Sequence, residues 1–235
     1  MLSLQLDKLN TFIVARLFAE LTTIDLSINY NDLSHKNDSK FVLLSLLYKT
    51  VGLRFKITKK TLDNIVDNSI LCLIIDDLLA NFKRDPSCKS FSECLFKPGF
   101  KVVLLYRLSL LFNANKHKVL MYINKRYRVE IGLGAVFGKR LVLDHTHGIV
   151  IGQQVEIGND ITIMHGVTLG AIGNQLGLER RHPRIQSGSS IGTNSIVLGK
   201  IEIGHCVVIG ANAVVTKKAL PYNVLMGIPA QAQLN

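Results

Sequence analysis

The sequence predicts an α+β protein, with an α-helical N-terminal half followed by a parallel β-helix of hexapeptide repeats from which one loop is thrown out. Two observations carry this. Apolar residues recur every six positions at Ile131, Phe137, Leu143, Ile149, Val155, Ile161 and Val167, and again at Ile185, Ile191, Val197, Ile203, Ile209 and Val215. Before about Arg128 the apolar spacing is helical. An α-helix, with about 3.6 residues per turn, cannot keep a period of six on one face. A period-six ladder with interleaved Gly (Ile131-Gly132, Phe137-Gly138, Ile191-Gly192, Ile203-Gly204, Ile209-Gly210) is the mark of a parallel β-helix, in which each short strand sends one branched side chain inward.

Taken in order, Leu6, Leu9, Phe12, Ile13, Leu17 and Leu21 follow helical spacing, as do Leu62, Ile65, Ile70, Leu73, Ile74 and Leu78. Asn31 to Lys40 is polar and turn-rich, a connector. Arg84-Asp85-Pro86 ends a helix, because the residue before Pro is pushed out of the α region. Pro98-Gly99 reads as another break, and Phe100 to Phe112 as a second apolar helix containing Tyr106-Arg107. The change of period near Val129 divides the chain into a helical part, 1–128, and a β-helix, 129–235. Within the β-helix, Thr168 to Pro183 breaks the repeat with Gly, charge and a terminal His-Pro, and reads as the extruded loop. After Val215 the repeat stops, and the short tail leaves no room for a C-terminal domain.

Composition narrows the function. A chain of 235 residues, 48% hydrophobic and 19% charged, is expected to fold and be soluble. A formal charge of +11 favours an anionic partner, and the absence of a nucleic-acid motif or aromatic-studded basic stripe argues against nucleic acid. Cys72, Cys88, Cys94 and Cys206 show no metal spacing and follow no signal peptide, which fits a reduced, cytoplasmic protein. The apolar runs Ser69–Leu79 and Val102–Phe112 are interrupted by Asp76-Asp77 and Arg107, short of the roughly 18 apolar residues of a membrane span, so no membrane association is expected.

The chemistry-bearing residues cluster around the loop. Asp144 and His145 are adjacent in one coil, and Arg181-His182 stand on the loop. A His can serve as general base, with a nearby carboxylate fixing its tautomer. Glu130 lies fifteen residues before His145, slightly under one coil, and is a candidate for that carboxylate. Read by spacing alone, these residues fit a solvated corner as well as a site. No Cys or Ser shows a nucleophile pattern, so direct transfer is favoured over a covalent intermediate.

The stretches Leu143-Asp144-His145-Thr146-His147-Gly148-Ile149-Val150-Ile151-Gly152, Gly166-Val167-Thr168-Leu169-Gly170 and Arg181-His182-Pro183 resemble the serine acetyltransferase family. Arg84-Asp85-Pro86, Gly99-Phe100 and Tyr106-Arg107 match its N-terminal helical domain in the same order, so the resemblance runs from about Leu79 to Ala230. It implies a left-handed β-helix and transfer of acetyl from acetyl-CoA, a co-substrate, to the hydroxyl of L-serine, as in cysteine biosynthesis. His145 matches the catalytic base, and Glu130 stands where the family usually has the Asp that orients it. Asp85 and Asp144 match the carboxylates that hold the substrate ammonium, and Arg181 and His182 the pair that grips its carboxylate. Thr193 and Ala211, with Gly170 and Gly192, fall along the expected cofactor arm. Lys217 and Lys218 are candidates for its phosphates on charge alone. Gly170 or His182 could supply an oxyanion donor. No metal is implied, and the family resemblance points to a homo-oligomer, a trimer or a dimer of trimers, with the acetyl-CoA site between neighbouring subunits.

Three departures stand out. Glu130 adds a methylene to the usual Asp, the loop from Gly170 to His182 is longer than is common and lacks a Gly-Gly pair, and the chain ends Gln233-Leu234-Asn235. That ending argues against docking onto the next enzyme of cysteine synthesis. Other acceptors (homoserine, a sugar or an antibiotic) remain alternatives, although a sugar site has no need of Asp85 with Arg181. A zinc β-helix needs about three protein ligands; His147 and His165 are eighteen apart, and with His205 read better as exposed corners. A non-catalytic scaffold is the remaining alternative.

Overall fold

The structure, a computed structural model, describes residues 68–112, 115–173 and 179–233. The helical spacing and connector read within residues 1–67 lie outside the described residues.

The first described helix, α1 (Asn68–Arg84), buries Ile70, Leu71, Ile74, Ile75 and Leu78 on one stripe and carries Lys83 and Arg84 in its last turn, where cations suit the helix dipole. It ends at Arg84, one residue before Asp85-Pro86. Helix α2 (Phe91–Phe96) is held by a reciprocal cap: Ser90 Oγ accepts from Glu93 N–H at 3.1 Å, and Glu93 Oε2 accepts from Lys89 N–H at 2.7 Å. Helix α3 (Pro98–Ser109) is buried from Gly99 onward except at Lys101. Pro98 opens this helix rather than breaking it, since the first turn needs no N–H there. The helix stops at Ser109, short of Phe112. Helix α4 (Lys116–Tyr127) ends on Arg128, whose φ is 58°, and the chain turns directly into the coil.

The coil is a left-handed parallel β-helix of about five turns. Each of the first four turns has three short strands, so equivalent strands stack into three faces. The first turn is β1 (Val129–Ile131), β2 (Val136–Phe137) and β3 (Val142–Leu143). The second is β4 (Ile149–Ile151), β5 (Glu156–Ile157) and β6 (Thr162–Ile163). The third is β7 (Thr168–Gly170), β8 (Arg184–Ile185) and β9 (Ser190–Ile191), and the fourth is β10 (Ile196–Leu198), β11 (Glu202–Ile203) and β12 (Val208–Ile209). The fifth comprises β13 (Val214–Val215) and β14 (Val224–Met226), and β15 (Gln231–Gln233) pairs antiparallel with β14 at the end of its sheet. The faces are β1-β4-β7-β10-β13, β2-β5-β8-β11 and β3-β6-β9-β12-β14.

The register corrects the simple six-residue ladder. Leu143 stacks on Ile163, and Ile131 on Ile151, so the column that starts at Ile131 does not continue through Ile149. Val129 pairs with Ile149 twenty residues on, whereas Ile149's neighbour Val150 pairs with Thr168 eighteen residues on. The first turn is therefore two residues longer than the regular one. The backbone amide of Asp144 donates to Ile163 O and that of Met164 to Ile191 O, while Gly148 and Gly166 donate to Arg128 O and His147 O in the same pattern. The surplus residues are His145 and Thr146, both with positive φ (55° and 21°).

The helices are joined to the first turn by a buried polar clamp. Arg107 Nε donates to Asp77 Oδ2 at 2.9 Å, and its Nη1 to Phe137 O at 2.9 Å. Asp77 Oδ1 accepts from the Leu141 amide at 3.0 Å. Arg107 and Asp77 are each 1% exposed, and burial pushes the Asp77 carboxyl above its ordinary value against the pull of Arg107. Tyr106 stacks on Phe137 and donates to Ala135 O at 2.8 Å. Breaking such a buried pair costs about 3–5 kcal/mol.

Candidate active site

His145 stands on the corner between β3 and β4, on the two-residue insertion. A non-Gly residue at φ 55° followed by Thr146 at φ 21° is costly backbone, of the kind that collects at functional sites. Thr146 is buried and anchors the bulge, while His145 is largely exposed. Asp144 Oδ1 lies 3.6 Å from His145 Nε2, and the His165 ring meets His145 edge-on with centroids 5.6 Å apart.

Helix α3 brings the helical unit onto this corner. A Cβ on Gly99 would sit 1.8 Å from Leu143 O, so only Gly lets the helix start lie against the backbone that leads into Asp144. The turn after α1 carries Asp85, whose Oδ1 accepts from the Ser87 amide at 2.9 Å and whose Oδ2 pairs with Lys97 Nζ at 3.3 Å. Burial raises the Asp85 carboxyl, but the Ser87 hydrogen bonds and Lys97 outweigh it, and the group is held below its ordinary value. Against desolvation, Asp85 first and Asp144 more weakly hold Lys97 above its ordinary pKa, so Lys97 links Asp85 electrostatically to the Asp144–His145 corner. An ammonium thus already rests against Asp85.

Arg181 and His182 lie at a different corner. His182 is buried with its ring against Gly152, where a Cβ would come within 2.1 Å of Cδ2 and 2.4 Å of Nε2. Gln154 Oε1 is 3.0 Å from the Arg181 amide and 3.1 Å from His182 Nδ1. Desolvation, and secondarily Arg181, hold His182 below its ordinary pKa. Gly152 follows β4 and Gly170 closes β7, so this group occupies the edge of the β1-β4-β7 face opposite His145. The two half-sites are separated by the breadth of that face, three residues or roughly 10 Å of strand.

The other expected residues divide in the same way. Gly192, Thr193 and Ala211 lie on the His145 corner column, where Asn194 N–H donates to His165 O and Asn212 N–H to Thr193 O. Lys217 and Lys218 are exposed just beyond β13. Glu130 points outward from the middle of β1 and, among the described residues, makes no hydrogen bond or ion pair; the carboxylate beside His145 within this chain is that of Asp144. His147 and His205 are exposed, but His165 is half-buried and its Nδ1 has no hydrogen-bond partner, which corrects its reading as an exposed corner. Among the described residues no group of three or more His, Cys, Asp or Glu is placed to hold a metal, and no helix is long and apolar enough to cross a membrane. A groove of about 770 Å³ on the β2-β5-β8 face, bounded by Gln154, Glu156, Arg180 and Arg184, does not include His145.

Sequence reasoning missed Lys97, Gln154 and the contact of His165 with His145. Lys97 and His165 lie toward the His145 corner and Gln154 at the opposite edge, and the six-residue ladder, which reads unbroken from Leu143 to Ile149, signals neither.

No protein-family model matches the chain. It is 38% identical over 171 residues to the serine acetyltransferase of Buchnera aphidicola subsp. Acyrthosiphon pisum, a match covering 70% of this chain and 62% of that one, which is less than two thirds of its length. To the serine acetyltransferase of Buchnera aphidicola subsp. Schizaphis graminum it is 35% identical over 212 residues, 87% of this chain and 80% of that one. Among solved structures, Neisseria gonorrhoeae serine acetyltransferase superposes with a TM-score of 0.77 at 30% identity, over 96% of this chain and 90% of that one. A structure of the Neisseria protein in complex with serine gives 0.75 at 29% identity over 94% and 95%. Brucella abortus serine acetyltransferase in complex with coenzyme A gives 0.77 at 26% identity over 94% and 94%.

Proposed function

The chain belongs to the serine acetyltransferase family, and we propose that it transfers the acetyl group of acetyl-CoA to the hydroxyl of L-serine. The observation that carries this reading is the pair of half-sites of opposite charge: carboxylates Asp85 and Asp144 beside His145 at one corner, Arg181 and His182 at another. An amino acid is the small hydroxyl compound that needs both, with anions for its ammonium and cations for its carboxylate. Acetyl-CoA supplies an activated thioester carbonyl. The corner column of Gly192, Thr193 and Ala211 offers small side chains along which its pantetheine arm can lie, and Lys217 and Lys218 offer charge for its phosphates.

In the proposed mechanism His145 accepts the proton of the serine hydroxyl at one ring nitrogen. A carboxylate at the other nitrogen holds the tautomer and stabilises the imidazolium. Glu130 is our assignment for that carboxylate, with Asp144, whose Oδ1 is 3.6 Å from His145 Nε2, as the alternative. Asp85 keeps its charge because Ser87 and Lys97 stabilise the carboxylate, which suits it to the substrate ammonium. We further propose a homo-oligomer in which one subunit's Asp85, Asp144 and His145 face the next subunit's Arg181 and His182, since a single chain holds these groups apart. Its helical part, 1–128, would serve assembly and contribute Asp85 to the substrate site, and its β-helix, 129–235, would carry the rest of the chemistry. The four free thiols, two of them buried, support a reduced, cytoplasmic setting.

The test is thiol release from acetyl-CoA with L-serine, L-homoserine, L-threonine and several sugars as acceptors. A serine-dependent rate that falls by about 10²–10⁴ in kcat in His145→Ala is expected for loss of a general base. Activity toward sugars that is indifferent to Arg181→Ala would overturn the amino-acid reading.

A further inference from the structure

Gln154 holds the return arm of the extruded loop at three points, and its chemistry constrains the protonation of His182. Gln154 Oε1 is 3.0 Å from the Arg181 backbone N and 3.1 Å from His182 Nδ1, while Gln154 Nε2 is 3.4 Å from Glu179 O. A backbone N–H can only donate and a carbonyl can only accept, so the amide is fixed with its oxygen toward Arg181 and His182 and its NH₂ toward Glu179. An amide oxygen beside His182 Nδ1 requires that this nitrogen carry the proton. In the neutral ring Nε2 is then a lone pair.

We propose that Gln154 is a positioning residue that locks His182 in the Nδ1–H tautomer, so that the ring can donate from Nε2 to an acceptor's carboxylate only as the imidazolium. The carboxylate half of this statement rests on the amino-acid acceptor proposed above. A neutral His182 would set a lone pair against the carboxylate, so acceptor binding takes up a proton at this ring.

The surroundings set where that happens. Arg181 is the adjacent charge, and Arg180 and Glu179 precede it on the same arm. Lys200, from the β10–β11 corner, pairs with Glu179 at 3.5 Å, and Glu156 of β5 is paired with Arg184 of β8 at 2.8 Å. The β4–β5 corner that carries the ring contributes Gln153, Gln154 and Gly152, none of them charged. Among the described residues, the two carboxylates on these elements, Glu179 and Glu156, are thus paired with other cations, and burial with Arg181 lowers the His182 pKa in the free protein. The acceptor's affinity should fall as pH rises, by about tenfold per unit above the free-protein pKa of one linked proton.

Two measurements on the full chain decide this. The long-range ¹H–¹⁵N spectrum of ¹⁵N-histidine-labelled protein without acceptor should show His182 protonated at Nδ1 and bare at Nε2, with the pattern inverted in Gln154→Leu. The KM for L-serine should climb with pH in the wild type and lose most of that slope in Gln154→Leu, whose ring can donate from Nε2 while neutral. Gln154→Glu retains an acceptor for Nδ1–H and adds a charge that favours the imidazolium, so its KM profile should move to higher pH. A neutral Nε2–H ring in the wild type, or equal KM slopes in wild type and Gln154→Leu, overturns the proposal; a simple loosening of the loop would offset the two profiles and leave them parallel. If no carboxylate-bearing acceptor is acetylated, the acceptor reading fails, and the tautomer in the spectrum still decides the role of Gln154.

Discussion

At the scale of single residues, the site depends on close approaches that leave no room for a side-chain atom. Gly152 is the sharpest case, since a Cβ there would lie 2.1 Å from the His182 ring. Gly152→Ala should displace the imidazole and remove one charge-assisted contact to the acceptor, worth about 1.5–3 kcal/mol or about a 10–100-fold rise in KM. KM for L-serine, measured beside KM for acetyl-CoA, checks this, because only the first should move. Asp144, His145, Arg181 and His182 could be picked from the sequence by residue type and by their place around the loop. Gln154 could not, because a Gln at a β-helix corner is ordinary and its role depends on an arm that returns 25 residues later. Lys97 was hidden in the same way, its partner Asp85 lying across a turn and a short helix.

At the scale of elements, the ties between α1 and the coil decide where Asp85 sits. Arg84 Nη2 contacts Asp160 Oδ1 at 2.7 Å, and Arg140 grips both oxygens of Asp160 at 2.7 Å, so the end of α1 is moored to the β5–β6 corner immediately before the turn that carries Asp85. The Arg140 hydrogen bonds, followed by Arg84, hold the Asp160 carboxyl below its ordinary value against partial burial. A depressed carboxylate stabilises the fold above its unfolded pKa and loses that contribution as pH falls. Asp160→Asn should therefore cost about 1 kcal/mol at neutral pH, within what a partly exposed network supplies. Urea unfolding should show the gap from wild type narrowing as the pH is taken below about 4.

The element scale is also where the sequence misled. The strands on either side of this corner have two inward positions two residues apart, Val129 and Ile131 in β1 and Ile149 and Ile151 in β4, all filled by branched apolar residues. A two-residue insertion moves the six-residue reading from one buried column to the other without leaving an apolar position. The ladder ran smoothly from Leu143 to Ile149 across the bulge that carries His145. Pro98 misled for a different reason, since a Pro that interrupts a helix and one that begins it are the same letter.

At the scale of the whole molecule, the fold class was legible because a period of six over thirteen positions has few alternatives, and the helical half because its stripes are long. The joint between the halves was not. The Asp77–Arg107 clamp and the seat of Gly99 on Leu143 are contacts across tens of residues, and no periodicity announces them. The assembly lies beyond a single chain's contacts, yet the two half-sites on opposite edges of one face make a definite claim about it. Subunits carrying only His145→Ala should regain activity when mixed with subunits carrying only Arg181→Ala, because each supplies the half-site that the other lacks. After unfolding and refolding an equimolar mixture, with serine well below saturation, random assembly of a cyclic oligomer should restore about a quarter of the wild-type rate. Recovery near that level supports a site shared between subunits, whereas a mixture no more active than its parents would contradict it.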